Sequence, residues 1–233
     1  MRFFSIFIGI SWLAVLPLLG QEEGKPKKSE VWLRFTTFGF DSRKLEAVIA
    51  SGEKISNPFD IRGNGFSEVV TLPSKERAVS LGTPLKEEGE EELSIRPLVQ
   101  FQLPETGKRF LVILIPKTAQ DLRAIVIRGD GEGFGPGEIQ FFNLSNEEFG
   151  ADLDGKRFTI AKNGRKVFKP VQSDKNKPNY QVKLFSIEEG KPRNFAATLW
   201  PYLDRKRAYV FLYRDPKSKR PIYRSVDEFT GWM

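Results

Sequence analysis

Apolar positions along the chain recur in short runs, separated by polar segments rich in glycine, proline and asparagine. Residues 31–38, 45–50, 67–72 and 180–187 combine β-branched and aromatic side chains, which favour strands. No long stretch beyond the first 30 residues keeps the 3.6-residue apolar period of an amphipathic helix. The pattern therefore predicts an all-β protein of many short strands, as in sandwiches and barrels.

Two runs are apolar on both faces. Residues 109–115 and 208–213 lack the in–out alternation of a half-exposed strand, so we expect both to be buried central strands. Two turn signals lie between other strands, Asp-Gly at 154–155 and Asn-Gly at 163–164. Each predicts a hairpin, because a type I′ turn needs positive φ at both central residues.

The chain contains an internal resemblance. Residues 108–115 resemble residues 206–213, and residues 45–55 more loosely resemble residues 149–158. A period of about 100 residues matches the size of an immunoglobulin-like sandwich. We therefore predict two tandem immunoglobulin-like β-sandwich domains, residues 30–130 and 131–233. One large sandwich is the alternative, because all-β domains reach that size.

A glycine-rich stretch joins the two predicted domains and is interpreted as a hinge. The glycines are Gly129, Gly131, Gly133, Gly135 and Gly137. Asp130 and Glu132 would suit a weak calcium loop, but they lack the ligand spacing of known loops. A strand follows the glycines, whereas dinucleotide binding requires a helix N-terminus there. No metal site and no cofactor site is predicted.

Residues 1–20 have the layout of a secretory signal peptide, with a positive start, an apolar run and a small residue before the charged segment. Retention of the run as a membrane anchor is the alternative. Residues 21–29 are polar and should form a disordered leader. An exported chain with no cysteine has no disulfides, which favours a bacterial envelope, periplasmic or extracellular.

The composition excludes several kinds of chemistry. With no histidine and no cysteine, the chain cannot hold a histidine-based triad, a cysteine nucleophile or an ordinary zinc site. A carboxylate pair for glycoside hydrolysis would have to come from Glu147, Glu148, Asp152 and Asp154. Asp154 is better explained as a turn residue. No catalytic residue is assigned, and the chain is predicted not to be an enzyme.

The formal net charge of +7 is spread along the chain and is typical of a soluble, well-charged surface. The chain shows none of the nucleic-acid-binding signatures, so no nucleic acid partner is predicted. Aromatic side chains in strands usually pack in cores, but Trp200 and Tyr202 flank Pro201, where a loop should begin. These two residues are the candidate ligand surface.

The motif Phe-Phe-Asn-Leu-Ser at 141–145, followed by Asp-Gly-Lys at 154–156 and a lysine-rich strand, resembles exported bacterial proteins with immunoglobulin-like domains and no assigned function. The resemblance covers mainly the second half of the chain. It implies the fold and the location, and it implies no activity.

Together these observations predict an exported, non-enzymatic structural or protein-interaction module of the bacterial cell envelope. Its partner would be an unidentified protein, and no membrane insertion is expected after cleavage of the signal peptide. The alternative is a protein that binds carbohydrate or a cell-wall polymer through Trp200, Tyr202 and the basic surface.

Overall fold

The computed structural model describes residues 30–38, 44–52, 54–63, 65–85, 94–116, 122–130, 134–172, 176–202, 204–215 and 218–229. Within these residues the regular structure consists of strands, with no helix, so the all-β prediction is confirmed. The strands are β1 (Glu30–Thr37), β2 (Leu45–Ser51), β3 (Lys54–Ile55), β4 (Phe59–Ile61), β5 (Val70–Pro73), β6 (Ala78–Leu85), β7 (Ser94–Gln102), β8 (Arg109–Pro116), β9 (Leu122–Arg128), β10 (Ile139–Asn143), β11 (Phe149–Leu153), β12 (Lys156–Ile160), β13 (Arg165–Phe168), β14 (Asn179–Glu188), β15 (Lys191–Pro201), β16 (Lys206–Arg214) and β17 (Pro221–Phe229). The predicted signal peptide and leader lie outside the described residues.

The strands form four sheets. Sheet 1 has the order β5-β1-β8-β9, and sheet 2 has the order β3-β2-β6-β7 with β4 also on β2. Sheet 3 has the order β13-β10-β16-β17, and sheet 4 has the order β12-β11-β14-β15. Sheets 3 and 4 thus repeat the orders of sheets 1 and 2. In each half one pair is parallel, β1 with β8 and β10 with β16, while the other pairs are antiparallel.

An irregularity also recurs at the same place. The register of β6 against β7 shifts between Leu81 and Gly82, and that of β14 against β15 shifts between Leu184 and Phe185. These strands hold corresponding positions in sheets 2 and 4. A bulge is a local feature that the sheet order does not require, so its recurrence strengthens the correspondence between the halves.

Each half has its own apolar core between its two sheets. The first core contains Phe35 of β1, Ile49 of β2 and Phe110 of β8, among others. The second contains the corresponding kind of residues, such as Phe141 of β10 and Val210 of β16. Because strand side chains alternate between faces, these residues account for only one face of sheet 1 and of sheet 3.

The other faces of sheets 1 and 3 pack against each other in a third core. Its buried members are Phe38, Leu111, Ile113, Ile127, Phe142, Tyr209, Phe211 and Val226. The rings of Phe38 and Phe211, one from each half, have centroids 4.7 Å apart. This packing explains why β8 and β16 are apolar on both faces. The prediction that both are buried central strands is confirmed.

One of the two predicted hairpins is confirmed and one is wrong. Asp154 and Gly155 have φ of 51° and 85° and join β11 to its antiparallel neighbour β12. Asn163 and Gly164 also form a turn, but β12 pairs with β11 and β13 pairs with β10, so the chain crosses from sheet 4 to sheet 3 there. The end of β10 holds this turn, because the backbone N–H of Asn143 donates to the carbonyl of Gly164 at 2.9 Å.

Gly150 in β11 lies directly opposite Phe185 in β14. A Cβ at Gly150 would lie 2.3 Å from two atoms of the Phe185 ring and 2.7 Å from the carbonyl oxygen of Phe158. We expect Gly150→Ala to lower the free energy of unfolding by about 1–3 kcal/mol through overpacking. Urea denaturation measures this, with Gly65→Ala as the control because a Cβ there meets nothing within 4 Å. An equal effect of the two substitutions would contradict the close packing of this pair.

Candidate functional site

Trp200 and Tyr202 lie at the end of β15 and are both half-buried against the second core. The Trp200 ring lies 6.3 Å from the ring of Phe141 in a stacked arrangement and 6.0 Å from the ring of Tyr223. The Tyr202 ring lies 4.9 Å from that of Tyr180. The structure brings the two residues into one aromatic cluster, whose main contacts are with the core. A ligand-binding role for them stays a prediction.

The ends of the glycine-rich joint are hydrogen-bonded to the sheets. The N–H of Gly129 donates to the carbonyl of Arg109 at 2.7 Å, and the N–H of Gly137 donates to the carbonyl of Lys206 at 2.8 Å. The N–H of Gly135 donates to a carboxylate oxygen of Glu138 at 2.7 Å. Gly131 and Gly133 lie outside the described residues. The hinge stays a prediction, and its described ends are held in place.

A buried charged cluster lies beside this joint. The Arg207 guanidinium donates through Nε to Glu228, which lies directly opposite on β17, and both side chains are at most 1% exposed. Its Nη2 donates to the carbonyl of Gly129 at 2.9 Å, and its Nη1 to that of Phe134 at 3.2 Å. The Tyr209 hydroxyl donates to Glu228 at 2.7 Å. Arg207 of the second half therefore holds the end of the first half.

Two further charged residues, Arg109 and Asp130, lie near the Arg207–Glu228 pair. Burial lowers the pKa of the Arg109 guanidinium, and the field of Arg207 lowers it further, while Asp130 and Glu228 oppose this. For Asp130, burial raises the pKa, but hydrogen bonds from Arg128 and from the N–H of Lys108 outweigh it and leave the pKa below its ordinary value. The lowered pKa of Asp130 keeps its carboxylate charged at neutral pH, where it pairs with Arg128 beside the joint.

The buried Tyr209 hydroxyl should make the free energy of unfolding depend on pH in the alkaline range. Burial raises its pKa, and the neighbouring Glu228 carboxylate raises it further. The folded state thus holds the proton more tightly than the unfolded state, whose tyrosine pKa is about 10. The stabilisation is complete below that pH and is lost as pH rises above it, with a slope of up to about 1.4 kcal/mol per pH unit.

We expect Tyr209→Phe to reduce the fall in the free energy of unfolding above pH about 10. Urea denaturation between neutral pH and alkaline pH measures it. A residual slope should remain, because burial also raises the pKa of Tyr180. The half-buried Tyr223, substituted by phenylalanine, is the control. An unchanged slope in Tyr209→Phe would contradict the buried hydrogen bond to Glu228.

Three of the four carboxylates considered for glycoside hydrolysis, Glu147, Asp152 and Asp154, make structural contacts. Glu147 accepts two hydrogen bonds from Arg214 Nε, at 2.9 and 2.8 Å, and one from its Nη2 at 2.6 Å. These bonds raise the Arg214 pKa. Asp152 accepts from the N–H of Gly155 at 3.0 Å, and Asp154 is a turn residue with φ of 51°. Their contacts are those of turns and ion pairs.

The described residues contain no group of three or more carboxylate, histidine or cysteine side chains placed to hold a metal ion. A helix long and apolar enough to cross a membrane is also lacking among them. The polar cluster around Arg207 is buried and links the two halves through the hydrogen bond to the carbonyl of Gly129.

Two surface features lie at the sheet edges, and the sequence indicated only the second of them. Leu199 of β15 is 64% exposed at the edge of sheet 4. At the opposite edge of sheet 4, β12, its neighbour β13 and the segments that follow them contain exposed cations that we call the basic edge: Lys156, Lys162, Arg165, Lys166 and Lys169. The lysine-rich composition of residues 156–169 was the available signal for the second feature. The exposed Leu199 could not be found in this way. The uncharged run at residues 195–200 becomes significant only once the structure places it on an edge strand.

Neither a protein-family model nor a curated protein sequence matches the chain.

Proposed function

We propose that this chain is an exported, non-enzymatic structural or protein-interaction module of a bacterial cell envelope, built of two tandem immunoglobulin-like β-sandwiches. The third core carries this proposal. It joins sheet 1 to sheet 3 through buried aromatic and aliphatic side chains, and the buried Arg207–Glu228 pair lies at the joint. Two sheet pairs joined by a buried core are suited to presenting surfaces at a set spacing.

The recurring strand order and the recurring bulge support the tandem arrangement. Two packed sheets with antiparallel pairing in each half support an immunoglobulin-like sandwich, whereas the parallel pairs, β1 with β8 and β10 with β16, depart from purely antiparallel sheets. The N-terminal apolar segment supports export. The proposed domains are residues 30–130 and 131–233, with the boundary just after Asp130.

The experiment has two parts. The full chain, expressed in a bacterium, should fractionate with the envelope and begin at Gln21 by mass spectrometry. The chain from Gln21, immobilised and exposed to envelope extract, should retain a discrete protein in stoichiometric amount. An unrelated protein of equal net charge is the control, because charge alone causes nonspecific retention. Cytoplasmic recovery of an uncleaved chain would contradict the proposed export, and no discrete retained protein would contradict the interaction role.

The basic edge favours a second candidate, binding to an anionic cell-wall polymer. The rings of Phe158 and Phe168 are stacked with centroids 5.4 Å apart, so β12 lies beside β13, and the five exposed cations lie on these two neighbouring strands and in the segments that follow them. Among the described residues, none of the five cations is within ion-pair distance of a carboxylate. Substituting Lys162, Arg165 and Lys166 by serine should abolish retention on purified polymer, whereas substituting Lys54, Lys75 and Lys219 should not. If the two triple variants lost equal amounts of polymer binding, the binding would depend on net charge and not on the basic edge.

A further inference from the structure

The outer edge of β15 has backbone groups that point away from β14. The N–H of Tyr202 donates to the carbonyl of Pro178 at 3.1 Å, which makes these two residues a hydrogen-bonded pair. In an antiparallel ladder such pairs alternate with pairs that make no bonds to each other. Thr198, four positions earlier, therefore bonds to β14. Ala197 and Leu199 direct their N–H and carbonyl groups toward the free edge.

The same two residues carry apolar side chains on the outer face of sheet 4. Leu199 is 64% exposed, and Ala197 is also exposed. The run from Phe195 to Trp200 has no charge, although lysine and other charges commonly protect edge strands from pairing. A register shift lies opposite one end of this run, and Pro201, which has no N–H, lies at the other. The unprotected edge is thus short and limited on both sides.

The first half does not share this feature. The N–H of Leu103 donates to the carbonyl of Arg77 at 2.8 Å, so by the same alternation Gln100 and Gln102 of β7 direct their backbone groups outward. Counted from the shared bulge, they occupy the positions of Ala197 and Leu199. β7 also carries Pro97 at its bulge. The same edge position is polar in the first half and apolar in the second. The fold therefore does not require the apolar side chains of β15.

We propose that the edge of β15 pairs with β15 of a second copy of this chain, antiparallel, about a two-fold axis through Thr198. In this register Ala197 of each copy faces Leu199 of the other as a hydrogen-bonded pair. Four backbone hydrogen bonds form, and every outward N–H between the bulge and Pro201 receives a partner. Sheet 4 and its copy become one continuous eight-stranded sheet.

Three properties of the edge favour a second copy as the occupant. The segment is complementary to itself, because the large Leu199 side chain of one copy lies beside the small Ala197 of the other. The paired segment from Phe195 to Trp200 is uncharged, so no cation of either chain lies within the pairing itself. The bulge and Pro201 end the pairing at both sides equally, as a two-fold interface requires. The inference goes beyond the proposed function and does not depend on an envelope partner.

Sedimentation equilibrium of the chain from Gln21 tests the proposal. The native chain should form a dimer, and Leu199→Pro should raise the dissociation constant at least tenfold. Proline at this position removes an N–H that faces the free edge and leaves the bonds to β14 intact. Gln102→Pro, the matching change in β7, should leave the dimer unchanged. The double variant Ala197→Gln with Leu199→Gln, which copies the first half, should behave as Leu199→Pro does.

Cysteine cross-linking tests the register, because the native chain contains no cysteine. Thr198→Cys should form an intermolecular disulfide under mild oxidation, since the two copies of residue 198 face each other in a non-hydrogen-bonded pair about 4.5 Å apart. Lys191→Cys, exposed on the same strand, should not cross-link. A native chain that is monomeric throughout, or a dimer that survives Leu199→Pro, would overturn the proposal. A monomer whose β15 edge instead retains an envelope protein would overturn it while leaving the proposed function intact.

Discussion

Glu228→Gln should lower the free energy of unfolding by about 3–5 kcal/mol, because it leaves the buried guanidinium of Arg207 without its counter-charge. The side chains of Arg207 and Glu228 are 1% and 0% exposed, so water cannot replace the lost carboxylate. Equilibrium urea denaturation, followed by tryptophan fluorescence, measures the change.

The control is the neighbouring carboxylate on the same strand. Asp227 is exposed and lies 3.9 Å from Lys206 Nζ, so Asp227→Asn should cost no more than about 1 kcal/mol. The double variant Arg207→Met with Glu228→Gln should lose less stability than the sum of the two single variants, because the groups interact directly. Additive losses, or equal losses for the two carboxylates, would show that the pair is not buried as described.

Phe211→Ala should lower the free energy of unfolding by a similar amount, about 3–5 kcal/mol, the usual cost of deleting a buried phenylalanine ring. The Phe211 ring is fully buried in the third core. It stacks on Phe142 of its own half at 5.2 Å and contacts Phe38 of the other half at 4.7 Å. The deletion therefore removes contacts within sheet 3 and between the halves.

The matched control is Phe229→Ala. Phe229 is 66% exposed and has the Lys206 ammonium 4.5 Å from its ring centroid, so its loss should cost no more than about 1 kcal/mol. Thermal denaturation of the two variants, compared with the native chain, measures both. A small effect of Phe211→Ala would mean that the faces of sheets 1 and 3 do not pack on each other in solution.

The sequence predicted the all-β class correctly, but it did not show which segments cover the faces of the strands. Residues 109–115 and 208–213 are apolar on both faces, which predicted burial of β8 and β16 correctly. The pattern does not say which partner covers each face. That depends on pairing between segments about 100 residues apart, where many apolar strands are interchangeable by local pattern.

The charged cluster was beyond sequence reasoning for a related reason. Arg207 stands in a basic stretch of the chain and Glu228 in a mixed one, so each looked like a surface residue. Only the register of β16 against β17 places them directly opposite, and only the third core buries them. Similarly, Trp200 flanks a proline that predicted a loop, but alternation along β15 turns its ring toward the second core.

The two apolar residues at the edge of β15 can be recognised as unusual only by comparing the two halves of the chain. Ala197 and Leu199 are unremarkable in sequence until their counterparts, Gln100 and Gln102, are known. Their correspondence depends on the bulge, which the pattern of hydrophobic residues does not reveal. The comparison of the two halves then shows that the bulge is common to both edges, whereas the apolar side chains occur only on the edge of β15.

The most direct test of the central claim measures whether the two halves keep one relative placement in solution. The chain has no cysteine, so Lys54→Cys and Lys219→Cys place one spin label on each half at exposed sites. Pulsed electron spin resonance should give a single narrow distribution of distances, and Phe211→Ala should broaden it. A broad distribution in the native chain would contradict the account, because it would mean that the glycine-rich joint is a free hinge and that the third core does not hold the halves together.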